Sequence, residues 1–191
     1  MLIVISGPSG AGKGTICKEL LRLDKRLRLS VSATTRKKRP GEVHGKEYYF
    51  LEEDEFQKTV DDEGFLEWAE VHGRKYGTLK SHVFDILKSG KDCILEIDVQ
   101  GGLQINQIVG STCLMIFINA PSEEELVRRI TKRNPEKPEE IKKRMLTARW
   151  ELEQEDKYQY TVVNDKLEKA VQEVLDIIRE ERKERASAFN R

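Results

Sequence analysis

Met1-Leu2-Ile3-Val4-Ile5-Ser6-Gly7-Pro8-Ser9-Gly10-Ala11-Gly12-Lys13-Gly14-Thr15 opens the chain. The first six residues are almost wholly apolar and rich in β-branched side chains, with no polar alternation. That texture suits a strand covered on both faces, as in a parallel sheet. From Lys13 the period changes: Ile16, Leu20 and Leu23 recur at helical spacing, with Lys18, Glu19 and Arg22 on the other face. Between strand and helix stands G-x-x-x-x-G-K. Its glycines can reach positive φ and bring backbone N–H groups close to an anion, and the helix N-terminus adds partial positive charge. A glycine-rich loop between a buried strand and a helix is the setting in which this pattern cradles nucleotide phosphates. Residues Gly7 to Thr15 therefore form the candidate phosphate loop, with Lys13 reaching the β- and γ-phosphates. The residue after Lys13 is Gly14 where Ser or Thr is usual, and Thr15 comes one place later. Thr15 is the candidate for phosphate or for Mg²⁺, directly or through water.

Two more apolar runs, Cys93 to Val99 and Cys113 to Ile118, are each followed by helix-like sequence, and Tyr160 to Val163 reads as a further strand. Leu167, Val171, Val174, Leu175 and Ile178 give the stripe of a C-terminal helix. Buried strands alternating with helices imply right-handed βαβ crossovers and an α/β sheet covered on both faces. From Ala33 to Leu79 glycines punctuate short runs such as Glu47-Tyr48-Tyr49-Phe50-Leu51, the mark of an inserted β-rich subdomain. A second insertion candidate, Arg128 to Arg149, is dense in charge and poor in apolar residues.

The 191 residues allow one sizeable core with an insertion or two. Thirty-four basic side chains balance 34 acidic ones, which argues against a protein held on nucleic acid or anionic lipid by bulk charge; anion binding must be local. The local asymmetry is strong: residues 1–50 carry eleven Lys/Arg against four acids, and residues 51–70 carry nine acids against Lys58 alone. No run is long enough to span a membrane, and the opening apolar stretch meets its turn too soon for a signal sequence, so a cytoplasmic protein is expected. Cys17, Cys93 and Cys113 lie far apart in apolar or helical runs and read as buried reduced thiols.

A phosphate loop alone does not separate a switch GTPase, a motor and a small-molecule kinase. The base-reading N-K-x-D segment of a GTPase is missing, since Asn164-Asp165-Lys166 has the wrong order. Further motifs follow in order along the chain: Ser32-Ala33-Thr34-Thr35-Arg36, Arg39-Pro40-Gly41-Glu42, Gly45-x-x-Tyr48, Phe65-Leu66-Glu67, Tyr76-Gly77-Thr78, Ile97-Asp98-x-Gln100-Gly101 and Val163-Asn164-Asp165. With the loop, this set resembles the guanylate kinase family of nucleoside monophosphate kinases over nearly the whole chain.

The resemblance implies an α/β fold with a P-loop NTPase-type parallel sheet flanked by helices, an inserted β-rich GMP-binding subdomain and a helical lid. The core would comprise 1–32, 80–128 and 149–191, the GMP-binding insert 33–79 and the lid 129–148. It implies phosphoryl transfer from Mg²⁺-ATP to GMP, with dGMP left open, and no nucleic acid or membrane partner. Arg36 and Arg39, three apart, suit the bidentate grasp of a doubly charged monophosphate, and the family's pattern adds Tyr48 and Tyr76 on the phosphate side. Guanine offers N1–H and N2–H donors side by side, which one carboxylate can accept; adenine has an acceptor at N1. Glu67 is the matching carboxylate, with Ser32 and Thr78 at the O6 edge, Asp98 at the amino group, and Phe65, Leu66 and Trp68 as a dry wall. Asp98 and Glu96 end an apolar strand, where α/β sheets present acids to ligands; many relatives have Asp at the position of Glu96.

The family's lid arginines match Arg129, Arg133 and Arg144, which would clamp ATP and the transferring phosphoryl group, and Asn164 would help the adenine site. Lys13, Arg36, Asp98 and these three arginines are the catalytic candidates. A glycine usually follows the arginine matching Arg133; here Asn134-Pro135 stands instead. The rival readings are an inactive interaction module of the same fold, which typically loses the phosphate loop, and a kinase for another monophosphate, against which Glu67, Ser32 and Thr78 argue.

Overall fold

The computed structural model describes residues 1–71, 73–133 and 138–189, so His72 and the Asn134-Pro135 pair lie outside it. The chain begins with β1 (Leu2–Ser6), α1 (Lys13–Leu23) and β2 (Leu27–Leu29). A second group follows: β3 (Ala33–Thr34), β4 (Tyr49–Phe50), α2 (Glu53–Asp61), β5 (Phe65–Val71) and β6 (Arg74–Leu79). Next come α3 (Lys80–Lys88), β7 (Asp92–Glu96), α4 (Val99–Val109) and β8 (Cys113–Asn119). Then α5 (Glu123–Arg133), α6 (Pro138–Leu152), β9 (Tyr160–Val163) and α7 (Leu167–Phe189) complete the chain.

The main sheet has the order β2-β7-β1-β8-β9, and every pairing in it is parallel. Strands covered on both faces need apolar side chains on both, which is why β1 reads Leu-Ile-Val-Ile without alternation. On one face Ile3, Ile5, Leu114 and Ile116 pack with Ile16 and Leu20 of α1 and Val174 and Ile178 of α7. On the other, Val4, Leu95 and Phe117 meet Val83 of α3 and Ile105 of α4. The three cysteines are buried within these layers and unpaired. The strand ends carrying Ser6, Glu96 and Asn119 lie at one edge of this sheet, where loops turn into helices and ligands bind in folds of this class.

A smaller mixed sheet, order β4-β3-β6-β5, stands beside it, with β5 and β6 antiparallel and β3 and β4 parallel. Phe56 of α2 fills its hollow against Ala33 and Phe65. The acids of residues 51–70 find a local use here. Glu52 and Glu55 form a capping box, and Glu53, Asp54 and Glu55 crowd the positive N-terminus of α2. The charge-dense segment forms α5 and α6, whose roots are not isolated from the core: Leu126, Ile130, Ala120 and Ala148 bury together. Among the described residues no helix is long and apolar enough to cross a membrane.

Candidate active site

The phosphate loop takes the backbone its glycines permit. Gly12 caps α1 in the left-handed region, at φ 94°, and a Cβ there would stand 2.3 Å from the Asn164 side-chain nitrogen. Any other residue would be both strained and obstructed. Asn164 in turn donates its amide to the Ala11 carbonyl at 2.8 Å and is buried, so it braces the loop from behind. Lys13 Nζ donates to the Gly7 and Pro8 carbonyls, which holds the ammonium over the loop. Thr15 lies on the first turn of α1, exposed. Beside it, Gly14 leaves room for a carboxylate: Glu96 Oε1 lies 3.0 Å from the point a Cβ would occupy.

A cleft of about 420 Å³ joins this loop to the smaller sheet. The loop contributes Ser9 and Lys13. Ser32, Arg36, Arg39, Tyr48, Glu67 and Tyr76 come from the 32–79 segment, and Asp98 and Arg144 from the main body and α6. Ten of the sequence-predicted site residues thus share one cavity although they span 136 positions of sequence from Ser9 to Arg144 inclusive. At one end of the cleft, Arg36 forks onto Glu42, at 3.0 and 2.8 Å, and its guanidinium packs over the rings of Tyr48 and Phe50. Glu42 also accepts the Arg39 backbone N–H at 2.8 Å, which folds the basic turn onto itself. Tyr48 and Tyr76 meet edge to face with ring centroids 6.0 Å apart. Burial, reinforced by the Glu96 charge, raises the Tyr48 hydroxyl, so it remains a hydrogen-bond donor.

Glu67 is only 5% exposed. Its Oε1 accepts the Thr78 hydroxyl at 2.6 Å, so Thr78, itself buried, orients the carboxylate from behind. Burial pushes the Glu67 carboxyl up to about 7; the Thr78 hydrogen bond opposes that rise and the nearby Asp98 charge adds to it. Asp98 caps α4 by accepting the Gly101 N–H at 3.0 Å. The dry wall differs from the expected one. Trp68 is 37% exposed and Phe65 packs on Phe56, while Leu66 joins the main core and Ile97 and the first turn of α4 close over Glu67. The reason is the irregularity between Phe65 and Glu67 in the β5–β6 pairing, which breaks the simple alternation of faces.

Arg129 does not reach this cleft: its guanidinium holds Glu125 at 2.7 Å and the Asn164 carbonyl at 3.0 Å, and so ties α5 to the brace behind the loop. The Arg133 side chain lies outside the described residues. Two carboxylates were missed as site residues: Glu151 of α6, which lines the cleft and which no local pattern marks, and Glu42, which does not line it but holds Arg36 and was legible from its place in the Arg39-Pro40-Gly41-Glu42 motif.

The family model for guanylate kinase matches residues 1–181. This chain belongs to the guanylate kinase family. It is 51% identical over 178 residues to a guanylate kinase of Caldanaerobacter subterraneus subsp. tengcongensis, covering 93% of this chain and 86% of that one. It is 48% identical over 181 residues to one from Thermotoga maritima, covering 95% and 87%. The crystal structure of guanylate kinase from Anaplasma phagocytophilum superposes with a TM-score of 0.79 at 31% identity, covering 95% of this chain and 85% of that one. The guanylate kinase fold and its kinase class therefore apply to this chain, and the interaction-module reading has no support.

Proposed function

We infer that this kinase transfers the γ-phosphoryl group of ATP to GMP, giving ADP and GDP. One observation carries the choice of acceptor. A buried carboxylate, Glu67, is held by Thr78 in the same cleft as the phosphate-loop lysine, with Arg36, Arg39 and Tyr48 beside it. Carboxylate at one end and paired guanidinium groups at the other match the guanine edge and the dianionic phosphate of GMP. The loop N–H groups and Lys13 hold the ATP phosphates. A GMP phosphate oxygen is already ionised, so it attacks in line with neither a catalytic base nor a covalent enzyme intermediate. The protein's work is positioning and charge neutralisation. The family's lid role falls here on α5 and α6: Arg144 reaches the phosphoryl group in transfer, Arg129 fixes the donor side through Asn164, and Arg133 joins them on closure, which excludes water. We assign residues 33–79 to the GMP-binding insert and 129–148 to the lid.

Mg²⁺ fits this donor set as an ion held mainly by ATP oxygens and water. No cluster of three or more His, Cys, Asp or Glu suited to a metal occurs among the described residues, and Mg²⁺ commonly binds kinases in that sparse way. Thr15 and the Glu96 carboxylate over Gly14 are the side chains at hand. The ion would neutralise charge between the β- and γ-phosphates. Buried, unpaired cysteines accord with a reducing cytoplasm.

Glu67→Gln tests the acceptor assignment. It swaps one acceptor for a donor facing guanine, so KM for GMP rises by at least about tenfold while ATP affinity is retained. Unchanged GMP kinetics would remove Glu67 from base recognition.

A further inference from the structure

One buried carboxylate at the cleft is used by none of these steps. Glu151, on the last turn of α6, is 6% exposed and lines the cleft together with Ser9 of the phosphate loop. Among the described residues its Oε2 has no hydrogen-bond partner. A buried polar atom left unsatisfied forfeits its hydration without return, and such atoms in native structures call for a reason. Arg144, Thr147 and Glu151 are spaced i, i+3 and i+7, so they share one face of α6, and all three line the cleft. The crown of the phosphate loop also meets apolar side chains, since Ile130 and Leu126 of α5 pack against Gly10.

We propose that Glu151 is a positioning residue for the ATP phosphates: it seats the root of α6 on the Ser9 crown of the phosphate loop, and thereby sets the reach of Arg144 two turns away. The proposal rests on the kinase reading above. It gives α6 one fixed end and one working end about 10 Å apart along the helix, so the lid arginine moves with the loop that holds ATP. The groups facing the carboxyl are Lys13 from the start of α1, Asp98 from the β7–α4 junction and Tyr158 ahead of β9, with Arg144 further along its own helix. Burial pushes the carboxyl up to about 7, Lys13 opposing and Asp98 reinforcing the rise. Protonated, it stands neutral beside an incoming triphosphate; ionised, it opposes one.

The test is ATP and GMP binding to the full chain by calorimetry, for wild type, Glu151→Ala and Glu151→Gln. Glu151→Ala removes the carboxylate beside Ser9 and is expected to weaken ATP about tenfold while leaving GMP within about twofold. Glu151→Gln keeps an acceptor but no charge. It should bind ATP within about threefold of wild type near pH 6.5 and more tightly than wild type near pH 8.5. Equal loss of both nucleotides, unchanged ATP binding in Glu151→Ala, or a Gln variant with the wild-type pH profile would overturn the proposal. Failure of the kinase reading looks different, because wild type itself would then bind no ATP.

Discussion

Glu67 is a residue kept at the expense of the fold. Its carboxyl sits near 4.5 in an unfolded chain and near 7 in the folded one. The folded state therefore holds an extra proton between those limits, and stability falls as pH rises through that window. Above it, Glu67→Gln should stabilise the protein by on the order of 1–3 kcal/mol, and the gain should fade near pH 4. Denaturant midpoints of the two proteins at both pH values measure this. The functional sign is opposite: a protonated carboxyl cannot accept both guanine donors, so wild-type KM for GMP should rise as pH falls from about 8 to 6. A variant more stable at pH 8 and defective for GMP joins both effects in one side chain. From the sequence, Glu67 was readable as a candidate because Phe65-Leu66-Glu67 is a local pattern. Its support was not: Thr78 lies eleven positions away, and the enclosing Gly101 lies on another element.

Helix α4 shows how an element bends to a site. Its first turns contain Gly101 and Gly102, which cost a helix interior up to about 1 kcal/mol each relative to Ala. A Cβ on Gly101 would fall 2.5 Å from Glu67 Oε2, and one on Gly102 would fall 2.3 Å from the Tyr158 hydroxyl. The helix gives up propensity so that the carboxylate can lie against its N-terminal turn. Gly101→Ala is expected to raise KM for GMP about tenfold despite the better helix former, and most of that effect should vanish in a Glu67→Ala background. A full effect persisting without Glu67 would point to a change in the helix itself. The phosphate-loop element was legible from a single linear stretch because strand, loop and helix are contiguous. The end of α6 was not, since Glu151 comes to the same cleft as Ser9 from 142 positions further along the chain.

At the scale of the molecule, the far edge of the main sheet is closed by charge. Arg182 of α7 donates to Asp92 at the start of β7, at 2.7 Å, and to Asp24 at the end of α1. Burial raises the Asp24 carboxyl, but the Arg26 N–H and Arg182 outweigh it and hold it below its ordinary value. Arg182→Met leaves the buried Asp92 charge without that partner and should cost about 3 kcal/mol near neutral pH. A depressed carboxyl stabilises above its unfolded value and loses that contribution as pH falls through the folded one, so the gap between variant and wild type should narrow in acid. Periodicity in the sequence revealed α7 and its apolar stripe, yet not this clasp, because charge partners carry no period. The two sheets, by contrast, were foreshadowed by the shift in glycine and charge texture at residues 33–79. What unites them is the cleft, and its chemistry is tested most directly by ADP formation from Mg²⁺-ATP with GMP, AMP, UMP and CMP offered separately. Turnover confined to GMP is the expected result; turnover chiefly with AMP or a pyrimidine nucleotide, or with none of the four in the folded protein, would contradict it.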